Sequence, residues 1–239
     1  MLKRVKNNII TAEKKYDVLK KWTLAVAEMD GEEFEFSEMK DVTAAGITTV
    51  PANVPGNFEL DLYSAGIIKK DPYTGDGCLE LSEYEYSHIF YSCIFEWNTD
   101  DSKNAETVLF AEGIDTVADI YLNGERLGGC DNMLIEHSFK MSSLKDGKNE
   151  IFIHIKPTVL EARAYADDIG SGSMSYSYES LYIRKAAHMF GWDIAPRAVS
   201  GGIWKPIYIK TVKRPGIKET YLIQGAYNAD TKIGTAHLR

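Results

Sequence analysis

Apolar and polar residues alternate through most of the middle of this chain, with the two-residue period of strands. Trp22, Leu24 and Val26 open the pattern. Tyr86 to Trp97 is a longer, aromatic-rich run. Thr107 to Ala111, Val117 to Leu122, Leu134 to Phe139 and Glu150 to Ile155 follow, each separated by turn residues, and Trp204 to Val212 closes the series. Short strands at this spacing predict an all-β protein, a two-sheet antiparallel sandwich or jelly roll. Asn123-Gly124 directly after a strand predicts a hairpin turn.

Helical spacing is confined to short stretches. Residues 3–21, with Val5, Ile9, Tyr16 and Leu19 as loosely spaced apolar positions, predict an amphipathic helix or a flexible arm. A helical turn is expected over Glu59 to Ala65, and a helix over residues 158–168 with Val159, Leu160, Ala162 and Ala166 on one face. Asp71 to Gly77 is a dense turn signal, and residues 170–180, rich in Gly, Ser and Tyr, read as an exposed loop. After Arg214-Pro215-Gly216 the pattern restarts with Tyr221, Leu222 and Ile223, then Ala236, His237 and Leu238. Two strands are marginal alone, so the chain is expected to stop shortly inside a second domain. The division is then 1–21 as an N-terminal segment, 22–213 as the sandwich and 214–239 as the start of another domain. There are no internal repeats.

Composition narrows the function classes. At 239 residues the chain can hold one large all-β domain and part of a second. Its 44% hydrophobic and 11% aromatic content suits an ordinary core. A net charge of −8 argues against nucleic acid as a partner, because phosphate contacts need clustered cations. The basic start (Lys3, Arg4, Lys6, Lys14, Lys15, Lys20, Lys21) is interrupted by Glu13 and Asp17 and reads as a solvated face. Cys78, Cys93 and Cys130, odd in number and without CxxC spacing, favour buried free thiols over a disulfide. His88, His137, His154, His188 and His237 show no metal spacing. No apolar run approaches the roughly 18 residues of a membrane span, and none resembles a leader sequence, so a soluble protein without membrane contact is expected. A leader removed from a longer gene would place it in the periplasm or outside the cell.

The densest chemistry lies between Arg184 and Pro206. There an Arg-Lys pair and a His precede Phe190-Gly191-Trp192-Asp193, then Pro-Arg, then Gly-Gly-Ile-Trp-Lys-Pro. Aromatic faces pack on the C–H faces of sugars and carboxylates accept bonds from sugar hydroxyls, so this run suits a rigid carbohydrate site. Trp22 and Trp97 read as core, whereas Tyr73, Tyr176 and Tyr178 are exposed-loop candidates.

The run resembles the end of the N-terminal domain of β-mannosidase-like enzymes of glycoside hydrolase family 2. Further motifs fall in the same order: Val54-Pro55-Gly56 with Asp61-Leu62, Ala65-Gly66-Ile67-Ile68, Asp71-Pro72-Tyr73, the stretch Asp115 to Gly124, then Asn132-Met133 and Phe139. Each alone is weak; together, from about Trp22 onward, they are specific. The resemblance implies a galactose-binding-like jelly roll followed by the start of an immunoglobulin-like domain. It implies an accessory role in a retaining glycoside hydrolase whose downstream TIM barrel supplies the catalytic glutamates. Asp193 would bind the terminal sugar, with Trp192 beside it, and Arg184 would order the loop. Two departures stand out: Ile194 follows Asp193 where many members have Trp, and Phe58-Glu59 replaces a common Val-His. The same fold in this family also serves β-galactosidases, β-glucuronidases and exo-β-glucosaminidases, and a free-standing carbohydrate-binding module or an interaction domain are further alternatives.

No catalytic residue is expected within the chain itself. Glycoside hydrolysis needs two carboxylates roughly 5–9 Å apart. Asp167-Asp168 are adjacent at a helix end, and Asn149-Glu150 follows the turn Asp146-Gly147-Lys148 and opens a strand rather than facing a barrel. No Ser/His/Asp arrangement, phosphate loop, metal cluster or cofactor motif is present.

Overall fold

The computed structural model describes residues 13–29, 36–98, 105–165, 177–212 and 221–238. Its strands in chain order are β1 (Glu13–Tyr16), β2 (Trp22–Glu28), β3 (Thr49–Ala52), β4 (Ser87–Trp97), β5 (Glu106–Ala111), β6 (Ala118–Leu122), β7 (Glu125–Cys130), β8 (His137–Lys140), β9 (Gly147–Ile155), β10 (Ile207–Val212), β11 (Leu222–Asn228) and β12 (Ile233–Leu238). The α-helices are α1 (Met39–Ala44), α2 (Phe58–Ser64) and α3 (Thr158–Arg163). A six-stranded sheet runs β3-β2-β4-β9-β6-β7 and a four-stranded sheet β1-β10-β5-β8. All of these pairings are antiparallel, as the alternation predicts.

The pleat sorts the side chains. Trp22 and Leu24 of β2, alternate residues Ile89 to Trp97 of β4, Ile151, Ile153 and Ile155 of β9, and Ala118, Ile120 and Leu122 of β6 point one way. They join Leu109, Ala111, Phe139, Ile207 and Ile209 from the facing sheet in one buried cluster. The opposite parity of the large sheet is covered too. Ala25, Phe90 and Phe152 bury against Val42 of α1. Two covered faces explain why Tyr86 to Trp97 reads as a nearly continuous apolar run. Each fully buried side chain of this kind contributes about 1.5–3 kcal/mol, so the main cluster sets the stability.

On that outer face a histidine pair forms that spacing along the chain does not reveal. His88 Nδ1 and His154 Nε2 lie 2.8 Å apart. Phe90 stacks on His154 at 4.8 Å. Burial pulls His88 down to about 4 and His154 to about 3, so both rings are neutral near neutral pH.

Several predicted elements change. The helix expected over 3–21 is not formed where the chain is described: Glu13–Tyr16 is a strand, and residues 17–21 carry no regular structure. The edge of β10 offers unpaired backbone groups, and pairing there outweighs a short helix with few apolar contacts. Tyr16 meets Trp97 edge-on at 4.8 Å, so the sandwich begins before Trp22. Residues 1–12 lie outside the described set. The strand predicted from Leu134 begins only at His137, and Leu134 and Ile135 are exposed. Of the helix predicted over 158–168, Thr158–Arg163 is formed, and 166–168, with Asp167-Asp168, lie outside the described residues. Cys93 and Cys130 are buried free thiols, pushed up to about 11 and about 12 by burial; Cys78 is only half-buried. Beyond residue 220, β11 and β12 pair with each other and leave Leu222, Tyr227 and Ile233 exposed.

The hairpin at Asn123-Gly124 forms as predicted. Both residues take positive φ, 52° and 83°, between paired Leu122 and Glu125, which a tight hairpin turn requires. Asn123 donates to the Ser143 carbonyl at 3.0 Å and to Asn149 Oδ1 at 2.9 Å, and accepts from the Glu150 amide at 3.0 Å. Glu150 Oε1 accepts from Ser92 Oγ at 2.6 Å and the Met39 amide at 2.9 Å. The Asn149-Glu150 dipeptide therefore serves the fold.

At one end of the sandwich three backbone segments cross at close quarters. The Gly56 amide donates to the Ile203 carbonyl at 2.9 Å and the Phe58 amide to the Gly201 carbonyl at 3.0 Å. Asp115 and Gly202 exchange amide-to-carbonyl bonds of 2.8 and 3.2 Å. A Cβ on Gly202, whose φ is +150°, would lie 2.6 Å from the Gly56 carbonyl oxygen and 2.9 Å from Asn57 Cα. Those are backbone atoms with no room to yield. Gly202→Ala is therefore expected to cost about 2–5 kcal/mol through overpacking and backbone strain. A urea midpoint that falls at unchanged slope checks this; an unchanged midpoint contradicts it.

Candidate functional site

The segment from Tyr178 to Trp204 leaves this crossing and folds over its own small core. Phe190, wholly buried, packs with Val159 and Ala162 of α3 and with Ile183 and Val199. The chain then turns at Gly191. The Trp192 amide donates to the Ala195 carbonyl at 3.0 Å, and the Ala195 amide returns a 3.2 Å bond to the Trp192 carbonyl. This closed turn lifts Trp192 (69% exposed) and Ile194 (93% exposed) into solvent, with the exposed Asp193 between them. Asp193 makes no hydrogen bond or ion pair with another described residue.

Arg197 holds the turn from beneath. Its guanidinium forks onto Glu85, with Nε to Oε1 at 2.7 Å and Nη2 to Oε2 at 2.8 Å. Nη1 reaches Glu179 Oε2 at 3.4 Å and the Phe190 carbonyl at 3.5 Å. Arg163 donates to the same Glu179 at 3.2 and 3.0 Å and to the Tyr86 hydroxyl at 3.1 Å. Burial lowers and Glu85 then raises the Arg197 pKa, and the net direction is upward, so the guanidinium stays charged. Glu179 is buried in this network, so the loop expected over 170–180 is not exposed there; residues 170–176, with Tyr176, lie outside the described set.

The structure thus brings Trp192 and Asp193 together but leaves Arg184 apart. The Arg184 side chain is exposed, while its carbonyl accepts the Met133 amide at 3.1 Å. The arginine bonded beneath the turn is Arg197, whose partner Glu85 is 112 residues away, a pairing no local spacing reveals. Trp204 is 38% exposed; its indole N–H donates to the Met133 carbonyl at 3.1 Å and the Lys205 ammonium lies 4.3 Å over its ring. Tyr73 is 72% exposed, Tyr178 is half-buried, and Trp22 and Trp97 are core.

Behind the turn lies a cleft of about 520 Å³, bordered by Asn57, Glu59, Tyr73, His188, Met189 and Ser200. A smaller one of about 220 Å³ adjoins it and reaches Trp204 and Asp115. Lys185 is buried beneath them, with Nζ 2.5 Å from Asp115 Oδ1 and 2.7 Å from the Ser200 carbonyl. Burial pulls the Lys185 pKa down, opposed by Asp115. Glu59 Oε1 accepts from Ser200 Oγ at 2.6 Å and from Asn57 Nδ2, whereas its buried Oε2 has no partner. Burial raises the Glu59 carboxyl, against the opposing bonds from Ser200, its own backbone and Asn57. Asp61 is also raised by burial, opposed by Asn53. Sequence reasoning missed Lys185, Asp115 and Ser200 as a unit, because Asp115 lies 70 residues from Lys185 and only the fold brings them together.

A family model described as the glycosyl hydrolase 2 galactose-binding domain-like family matches residues 32–205. A beta-mannosidase of Mus musculus is 29% identical over 178 residues, 69% of this chain and 20% of its own length. Beta-mannosidase A of Aspergillus aculeatus is 30% identical over 184 residues, 70% of this chain and 19% of its own. The chain thus spans about a fifth of the length of these curated relatives. The crystal structure of a beta-D-mannosidase from Dictyoglomus thermophilum aligns over 89% of this chain and 23% of its own, with a TM-score of 0.64 and 29% identity.

Removing Arg197 leaves buried Glu85 without a side-chain partner among the described residues and leaves Glu179 with Arg163. Breaking a buried pair in this way costs about 3–5 kcal/mol, because one charge is left uncompensated. Arg197→Met is expected to destabilise by that amount in denaturant unfolding and to raise proteolytic cleavage within 191–196 first. Cleavage and stability both equal to the parent protein would show that the network does not hold the turn.

Proposed function

Because the chain belongs to the glycosyl hydrolase 2 galactose-binding domain-like family, we propose that it is the N-terminal accessory domain of a retaining β-mannosidase-like enzyme. In this reading residues 214–239 begin an immunoglobulin-like domain, and a TIM barrel farther along the same polypeptide supplies nucleophile and acid/base. The turn Trp192–Ala195 leans on the barrel mouth and forms one wall of the pocket for a terminal β-linked sugar.

One observation carries this reading. A rigidly supported turn presents a large aromatic face and an unpaired carboxylate to solvent side by side. An exposed apolar face of this kind marks a surface that another body covers. Asp193, with both oxygens open, can accept hydrogen bonds from two adjacent hydroxyls, and Trp192 can pack on the C–H face of the same ring. Ile194 adds an aliphatic wall where Trp is common in the subgroup, so the pocket beside the sugar is less aromatic. Arg184 contributes from the flank of the loop rather than to the sugar directly.

This chain is not expected to turn over glycosides. Retaining hydrolysis needs two carboxyls about 5–5.5 Å apart. Of the carboxyls bordering the clefts, Asp115 is committed to Lys185, which leaves Glu59 alone. Purified protein should release no nitrophenol from aryl β-glycosides above a heat-denatured control; release that copurifies with the chain would overturn the accessory assignment.

In the longer enzyme, each hydrogen bond to the charged Asp193 contributes roughly 1.5–3 kcal/mol. Where these bonds tighten in the transition state, Asp193→Ala should lower kcat/KM on an aryl β-mannoside by about tenfold to a hundredfold, with the melting temperature unchanged. Full activity in the folded variant would make Asp193 a residue that only shapes the turn.

A further inference from the structure

We propose that the two clefts behind the turn form one groove for an uncharged saccharide chain, a binding site separate from the contact of Asp193 with a terminal sugar. The inference stands on the lining of the clefts and does not need the reading of the turn.

Asn57, Met189 and Ser200 border both clefts, so the space of about 520 Å³ and that of about 220 Å³ share one wall. The larger has the size of a ligand pocket, about 300–1,000 Å³. Each cleft also has an aromatic wall of its own: Tyr73 borders the larger and Trp204 the smaller. Tyr73 is 72% exposed, yet its backbone is fixed. Its amide donates to Asp71 Oδ1 at 2.9 Å, and the Thr74 amide donates to the Asp71 carbonyl at 3.1 Å. Trp204 is held by its indole bond to Met133 and offers only ring surface. Rings fixed in this way can pack on the C–H faces of sugar rings.

The polar groups suit hydroxyls. Where the clefts meet, Asn57 Nδ2 lies 3.4 Å from the Tyr73 hydroxyl and 3.5 Å from Ser200 Oγ. Bonds that long are weak, so exchanging them for a ligand hydroxyl costs little. His188, exposed on the rim, adds an imidazole. Amide, phenol, hydroxyl and imidazole can each donate and accept, as sugar hydroxyls do. Charge points the same way. No Lys or Arg borders either cleft among the described residues. Asp115 is bonded to Lys185. Glu59 has one oxygen on Ser200 and Asn57, and its other oxygen is sealed from solvent. An anion therefore meets no fixed cation in the groove, and a cation meets no open carboxylate.

The rate measurement on Asp193→Ala decides the turn, and binding to the 239-residue protein decides the groove, so either reading can fail alone. The protein, labelled at the methionine methyls and tryptophan indoles, is titrated with β-linked mannotriose, mannose, trigalacturonate, the glucosamine trimer and acetylated trialanine amide. The Met189 methyl, which borders both clefts, should shift with mannotriose at millimolar concentrations. Mannose should bind about tenfold more weakly, because only a chain engages both clefts at once. The two charged trimers and the peptide should leave Met189 in place. Tyr73→Ala removes an exposed side chain, and it should weaken mannotriose binding by about tenfold with the melting temperature unchanged. The proposal fails if mannotriose does not shift Met189, or if it shifts the Trp192 indole alone. It fails equally if mannose or a charged trimer binds as tightly as mannotriose, or if Tyr73→Ala binds as well as the parent. An equal response to the peptide would overturn it in favour of a protein segment. Should Tyr73→Ala not fold, the comparison of the five probes on the parent protein decides alone.

Discussion

The architecture depends on the backbone crossing at Gly56, Asp115 and Gly202. Three segments far apart in sequence meet there with no side chain between them, tied by four amide-to-carbonyl bonds. Strand β6 follows Asp115 almost at once, α2 starts just after Gly56, and Gly202 lies near the end of the segment from Tyr178 to Trp204. The crossing therefore fixes where the large sheet, the wall of the cleft and the exposed turn sit relative to one another. Lys185 reinforces it from below by joining Asp115 to the Ser200 carbonyl. A side chain at Gly202 would push these parts away from one another.

Stability and specificity come from different places. The sandwich is held by its large apolar cluster, with a second layer under α1. The buried ion pairs add little net energy, because desolvating each charge consumes much of the attraction. They set geometry instead. Arg197 makes a two-pronged bond that only one placement of Glu85 satisfies, and Glu179 is shared between Arg197 and Arg163. The small core around Phe190 supplies the footing. An exposed turn supported in this way keeps its shape without being buried.

Strand positions were legible in the sequence because the pleat imposes a two-residue period on any sheet with one buried face. The Asn123-Gly124 turn was legible because few residues accept two successive positive φ values. The breaks in legibility have equally definite causes. Leu134 and Ile135 look like strand residues, but they lie on a loop that serves Met133 and Trp204. Glu13–Tyr16 carries no strand signal of its own and is extended because β10 had an open edge. His88 and His154 approach each other across neighbouring strands, so spacing along the chain could not pair them. Within the candidate site the motif Gly191-Trp192-Asp193 stood out by composition, yet nothing local separated Arg184 from Arg197 as the residue that orders it.

By itself the sequence determined the all-β class, most of the strand order along the chain and the family, and it singled out Trp192 and Asp193 as candidates. These follow from periodicity and from motifs a few residues long, and local sterics decide both. Only the tertiary structure decided which arginine supports the turn, that Glu59 lies buried with one oxygen unmet, and that Lys185, Asp115 and Ser200 form one unit. Those facts depend on contacts between segments far apart in sequence, and on burial, which changes the energy of a charge only once other parts of the chain have displaced the water around it.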